Sequence, residues 1–211
     1  MTRRERILAK SQELFNKNGI RKVSVRSICD ELNISLGNFT YYFPDKQQII
    51  IELYDKMISE TEVIDKELTL DKDRITFFLE YHRHVFKIQN KFKFFFLNTF
   101  ELINQSTEIR KAYLAHIEKE KRKMKKLLLE FRSNGVLKAD TDTPFLERLI
   151  DVSLLVNSFW IIDAELHFKG RENKKLMRYL KLCCSLIEPH LTSKAKKEYD
   201  AYFNSYKKLL S

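Results

Sequence analysis

The residues best suited to recognition chemistry crowd into one short stretch, Ser35 to Phe43. Leu36, Gly37, Asn38, Thr40, Tyr41 and Tyr42 are small, polar or aromatic, and no acid lies among them. Hydroxyls, a carboxamide and the free backbone N–H groups of a helix start suit a polyanion with hydrogen-bonding edges. The N–H groups at Ser35 fit a phosphate, and side chains near that end fit base edges in a major groove. An ordinary helical hairpin in an all-α core fits the same pattern equally well.

Catalytic chemistry finds no comparable cluster. His82 and His84 are two apart and diverge on a helix, so they cannot share a metal. His116, His167 and His190 are scattered, without Cys or acid at ligand spacing. The chain has no Gly-rich phosphate loop, nucleophile elbow or paired-Cys metal motif. No catalytic residue, metal or cofactor is therefore expected.

The elements that must hold Ser35–Phe43 follow from local pattern. Ser24 is an N-cap ahead of Val25, Ile28, Cys29 and Leu32, which recur at i, i+3, i+4 and i+7 along one apolar face. Asn33 closes that helix, and Ser35 caps a second whose Phe39 and Phe43 lie four apart on the inner side. So short a helix needs neighbours to exist. Arg3–Lys17 supplies one, with Ile7, Ser11, Leu14 and Phe15 on a face and Asn18-Gly19 as its stop. Arg3, Arg4 and Arg6 sit where a helix dipole disfavours cations, which suits either an arm toward phosphates or a solvated terminus. Asp45 and Gln48 read as a capping box for a helix to about Lys66.

In order and spacing, Gly19, Val23 to Cys29, Ile34 to Phe39, Tyr42-Phe43 and Lys46 resemble the N-terminal domain of the TetR family of bacterial transcription regulators. Thr40 stands where that family usually has Tyr, and Leu36 where Lys or Arg is common. The resemblance implies an all-α protein, with a three-helix helix-turn-helix domain over residues 1–47 (family-type to about 61). A larger helical domain for ligand binding and dimerisation covers 48–211. It implies a homodimeric regulator, a ligand-released repressor, on a palindromic double-stranded DNA operator. Asn38, Tyr41 and Leu36 would face bases, Leu36 touching a thymine methyl. Ser24, Arg26, Ser35, Gly37, Thr40, Tyr42 and Lys46 would hold phosphates and fix the docking geometry.

Totals agree with an anionic partner. The 211 residues carry a net charge of +10, of which Met1–Lys46 holds +4 from nine Lys or Arg against five acids. A basic interaction protein, docking on acidic partners or membranes through Lys119–Lys126 and the C-terminal helix, is the rival. Only seven residues are Gly or Pro, which favours helices. Cys29, Cys183 and Cys184 make no disulfide framework, and the charged MTRRERILAK lacks the apolar core of a signal peptide. A cytoplasmic protein is expected. Leu149–Leu166 carries three acids, so no membrane span is expected.

The second array starts with a helix opened by Asp73, apolar nearly all round, and continues through the Phe-rich run Lys91–Asn104. A long helix capped by Thr107 or Ser106 ends at Asn134-Gly135. Thr143-Pro144 starts a helix to Phe168, Asn173 to about Glu188 forms the next, and Ser193–Leu210 the last. Phe78, Tyr81, His82, Phe95, Phe96, Phe100, Tyr113, His116, Phe159 and Trp160 form a candidate pocket for a small apolar or amphipathic effector, although such stripes are usually plain core. The wide apolar faces near 144–168 and 173–188 suit a four-helix interface with a second copy.

Overall fold

A computed structural model describes residues 1–67 and 73–210, with side chains from 64 to 72 and beyond 207 left out. Eleven α-helices occupy these residues: α1 Arg3–Asn18, α2 Val25–Leu32, α3 Leu36–Tyr42, α4 Lys46–Glu67, α5 Arg74–Lys91, α6 Lys93–Leu97, α7 Thr99–Gln105, α8 Thr107–Ser133, α9 Thr143–His167, α10 Glu172–Cys184 and α11 Ser193–Leu210. Among the described residues there is no strand, only an isolated bridge between Leu137 and Leu191.

Two compact units emerge by packing. The first joins Met1–Glu60 to Ile88–Ala112; the second holds Thr61–Lys87 and Tyr113–Ser211. The reason is visible in the contacts of α1. Gln12 Nε2 and Asn16 Nδ2 both donate to the carbonyl of Lys91 at 2.8 Å, and Asn16 Oδ1 accepts from Phe94 N at 3.0 Å. These bonds satisfy backbone groups left over where α5 ends. Phe15 meets Phe94 at 5.5 Å between centroids and Tyr54 meets Phe95 at 4.7 Å, so the Phe-rich run is core for the N-terminal helices.

In the second unit Trp160 of α9 stacks on Phe86 of α5 at 4.8 Å and 11°. Glu80 of α5 is nearly buried. It accepts from Arg83 Nε and Nη2 at 3.0 and 2.6 Å, and from Tyr206 Oη at 2.9 Å. Burial pushes this carboxyl up, but the Arg83 and tyrosine hydrogen bonds outweigh it and hold it below the usual range. The last helix is thereby tied to α5 by a satisfied buried carboxylate. Ala195, Tyr199, Tyr202 and Phe203 are buried on α11 as its pattern requires, while Leu210 lies outside the described side chains.

Several helix ends differ from the sequence reading. Asp142 caps α9 through Phe145 N at 2.5 Å, so Thr143 is the first helical residue. Ser106, rather than Thr107, caps α8 through Ile109 N. α10 stops at Cys184, and Glu188–His190 forms a separate 3-10 turn because Pro189 cannot continue a helix. Asp45 does cap α4 through Gln48 N, but Gln48 points its amide at Glu52 instead of closing a capping box.

Candidate nucleic-acid interface and effector cavity

The helix-turn-helix is fixed by caps at each joint. Ser24 and Ser27 close a reciprocal capping box at 3.0 Å, which starts α2. Asn33 ends it in the left-handed conformation (φ 56°), a geometry that Asn tolerates better than most residues. Ser35 Oγ then accepts from Asn38 N at 3.1 Å, which starts α3. Phe39 and Phe43 are fully buried and pin α3 from beneath.

What is left outside is the surface expected to read DNA. Leu36 is 58% exposed and Tyr41 81%. Ser24, Arg26, Ser35, Gly37 and Thr40 are also exposed, while Asn38 and Tyr42 are half-buried. Tyr42 meets Tyr41 edge-on at 4.9 Å, and Thr40 Oγ1 donates to Gly37 O at 3.2 Å. A methyl added at Gly37 would meet nothing within 4 Å. Glycine is therefore not required there by the protein's own packing.

The N-terminal arginines divide in role. Arg4 pairs with Glu52 and lies over the Phe43 ring at 4.9 Å, clamping α1 and α4 to the end of α3. Arg3 Nη1 donates to Asn38 Oδ1 at 3.5 Å. Arg6 is exposed.

Lys46, expected to hold a phosphate, has partners within the chain. Its half-buried ammonium donates to the carbonyls of Ile20 and Val23, both at 3.0 Å, and so holds the turn that leads into Ser24. Arg21, in the same turn, makes a two-oxygen contact with Glu101 of α7 at 2.9 Å. Neither partner is adjacent in sequence, which is why motif spacing alone missed both.

The second unit has a small, partly open pocket of about 10 Å³, lined by Phe78, His82, Met124, Leu128, Leu149, Ser153, Cys183, Cys184 and Ile187. Of the expected pocket residues, Phe78 and His82 line it. Tyr81 packs edge-on against His82 at 5.4 Å, and Trp160 is buried against Phe86. Burial lowers the His116 pKa, while Tyr113 is half-buried; neither lines the cavity. Phe95, Phe96 and Phe100 belong to the other compact unit, where Phe95 and Phe96 are core and Phe100 is 79% exposed. Phe159 is 56% exposed, so it does not face a buried pocket. The lining residues missed from the sequence have an i, i+4 signal, Met124/Leu128 and Leu149/Ser153, that is shared with any core.

The faces expected to meet a second copy also separate. Leu149 and Trp160 on α9, and Leu176, Leu180, Cys183 and Cys184 on α10, are buried within the chain. Val152, Leu155, Phe159 and Leu166, with Leu182 and Leu186, remain 39 to 71% exposed. An apolar stripe of this extent is unusual on a free surface.

The basic run on α8 is offset by acids. Lys119 pairs with Glu62, Lys121 with Asp151, Lys123 with Glu120, and Lys125 with Glu147. Among the described residues no group of His, Cys, Asp or Glu could hold a metal, and no helix is long and apolar enough to cross a membrane.

Comparison with known proteins covers nearly the whole chain. A profile of the N-terminal domain of bacterial regulatory proteins of the tetR family matches residues 7–53, and a TetR profile described as a bacterial transcriptional repressor matches 54–199. No curated protein sequence matches. Among solved structures, a TetR-family transcriptional regulator from Marinobacter aquaeolei VT8 is 21% identical; the match covers 98% of this chain and 99% of that one, with a TM-score of 0.84. A transcriptional regulator from Saccharomonospora viridis in complex with choline is 19% identical over 88% and 95%, with a TM-score of 0.69. A gamma-butyrolactone receptor is 12% identical over 99% and 97%, with a TM-score of 0.66.

Proposed function

The chain belongs to the TetR family of bacterial transcription regulators, and on that premise we propose that it is a cytoplasmic homodimeric repressor. It holds a palindromic operator and releases it when a small ligand enters the helical domain. The observation that carries DNA readout is the surface of α3. Its inner phenylalanines are wholly buried, while Leu36 and Tyr41 are left largely bare beside an uncovered helix start.

In this reading Tyr41, Asn38 and Leu36 face base edges. Ser24, Arg26, Ser35, Thr40 and Tyr42 contact phosphates, Gly37 lets the backbone approach, and Arg3 joins Asn38. Lys46 acts through the turn that it holds. Residues 1–47 form the DNA-binding part, and 48–211 the effector-binding and dimerising part. The exposed stripe of Val152, Leu155 and Phe159 with Leu182 and Leu186 meets its own copy about a two-fold axis. The choline-bound and gamma-butyrolactone-receptor relatives support a small organic effector in place of a cofactor.

A gel shift with the DNA upstream of the protein's own gene tests the reading. Retention that survives an excess of unrelated duplex supports it. Retention that vanishes at modest salt on any DNA would instead fit a merely basic protein.

A further inference from the structure

Arg21 is not among the residues that hold phosphates in the proposed operator complex, yet its setting is that of a phosphate ligand. It is the second residue of a turn closed by Val23 N on Ile20 O at 3.3 Å, and the helix cap Ser24 follows three residues later. The Cα atoms of Arg21 and Ser24 are therefore at most about 11 Å apart. The Arg21 side chain is 78% exposed. Lys22 and Arg26, on either side of the same cap, are exposed too, and no acid occurs from Arg21 to Cys29.

The guanidinium is gripped at one edge only. Its Nε donates to both carboxylate oxygens of Glu101 on α7, each at 2.9 Å. An arginine has five N–H donors, and the four on Nη1 and Nη2 take no partner among the described residues. Those two nitrogens form the planar fork that matches a pair of phosphate oxygens. An untethered arginine loses rotamer freedom when it presents that fork. Here the grip on Nε removes much of that freedom before any ligand arrives.

Glu101 is itself held in place. Gln105, one turn further along α7, donates from Nε2 to Glu101 Oε1 at 3.0 Å. The hydrogen bonds from Arg21 keep the Glu101 carboxyl below its usual range, so it is ionised at neutral pH. Only Asn98 separates α7 from α6; its Nδ2 donates to Phe94 O at 2.7 Å, and Thr99 Oγ1 donates to Phe95 O at 2.9 Å. α6 is bonded to α1 through Asn16 and packs on Phe15. All these residues belong to one compact unit. An exposed ion pair adds little stability by itself, so what the pair supplies is orientation. The carboxylate also repels an approaching phosphate, but the two meet different edges of a cation at an exposed site, where salt and water screen that repulsion.

Given the DNA-binding reading of α2 and α3, on which the assignment rests, we propose that Arg21 holds a backbone phosphate beside Ser24 through Nη1 and Nη2. Glu101 is its positioning residue and aims the fork from α7. The contact is indifferent to base sequence, so it anchors the turn on any duplex.

The test uses the full chain and two labelled duplexes, one of unrelated sequence and one from the region upstream of the gene. Affinity is read by fluorescence anisotropy across a salt series, and the melting temperature of each variant is measured without DNA. Arg21→Ala should weaken binding to both duplexes about tenfold and lower the slope of log K against log salt by about one for each bound subunit. Arg21→Lys, which keeps the charge without the fork, should keep the slope and lose about threefold. Glu101→Ala should lose about threefold on both duplexes at an unchanged slope, and cause no further loss in Arg21→Ala. Glu101→Gln, whose carboxamide oxygen still accepts from Nε, should recover part of that loss. If Arg21→Ala does not fold, Arg21→Gln supplies the slope.

Unchanged affinity and slope in a folded Arg21→Ala would overturn the proposal. So would tighter binding by Glu101→Ala than by the wild type, which would make the carboxylate a competitor of phosphate. A loss in Glu101→Ala that persists in Arg21→Ala would make Glu101 a structural residue and overturn its positioning role. The wider reading fails separately. A wild type that holds the two duplexes equally removes operator recognition and leaves the Arg21 contact standing, whereas a wild type that holds neither removes both.

Discussion

Replacing Lys46 by Met keeps most of the side-chain length and removes the ammonium that grips Ile20 and Val23. Hydrogen bonds with a charged partner contribute about 1.5–3 kcal/mol each when shielded from water. Lys46 is half-buried, so water competes, and each bond falls to about 1 kcal/mol, the value of an ordinary hydrogen bond. Two bonds at 3.0 Å then amount to about 2 kcal/mol. The loss falls on the turn that carries the Ser24 capping box, not on the whole protein. Opening of α2 should become roughly 30-fold more frequent, which native-state hydrogen exchange reads at the amides of Ile28 and Cys29. DNA affinity should fall on operator and random duplex alike, with little change in the slope of log K against log salt, because the ammonium is spent on carbonyls. Unchanged exchange together with a slope reduced by about one unit would place that charge on a phosphate and refute the reasoning.

Four further outcomes follow from the same geometry. Tyr41→Ala should weaken operator binding by about 1–3 kcal/mol in a competition assay while leaving random DNA nearly unaffected; equal losses on both would argue against base contact. Gly37→Ala should raise the melting temperature, since the site is open and alanine favours helix by about 0.5–1 kcal/mol, yet weaken DNA binding if a phosphate approaches the backbone there. Leu155→Asp with Phe159→Asp should leave helical content intact and give a monomer in sedimentation at concentrations where the wild type is expected to dimerise. Because the folded pKa of Glu80 lies below its ordinary 4.5, its contribution to stability is complete above that value and lost as pH falls through the lower one. Exchange protection of α11 should therefore drop as the pH falls below 4.5, and Glu80→Gln should flatten that drop.

Local chemistry carried most of what could be read without coordinates. Serine caps at Ser24 and Ser35, the left-handed Asn33, the stop at Asn134-Gly135 and the i, i+4 phenylalanines of α3 are each set by neighbours within a few residues. What stayed illegible depends on residues distant in sequence. Nothing near Lys46 announces carbonyls 23 and 26 positions earlier, and Glu80 finds Tyr206 at a separation of 126. The placement of α6 with the N-terminal helices involves the amides of Gln12 and Asn16, whose spacing signals only a polar helix face. Both faces of α9 are apolar in sequence, so burial of Trp160 and exposure of Phe159 could not be told apart by pattern. The cavity is a gap in packing among four helices, and no single helix encodes it.

The central claim is that the bare surface of α3 reads DNA sequence, once per subunit. Hydroxyl-radical footprinting on the region upstream of the gene addresses it most directly. Two protected half-sites of inverted sequence, related by about one helical turn or a multiple of it and both lost in Tyr41→Ala, are the expected result. Protection that is uniform along the duplex, or confined to one half-site at saturation, would contradict it.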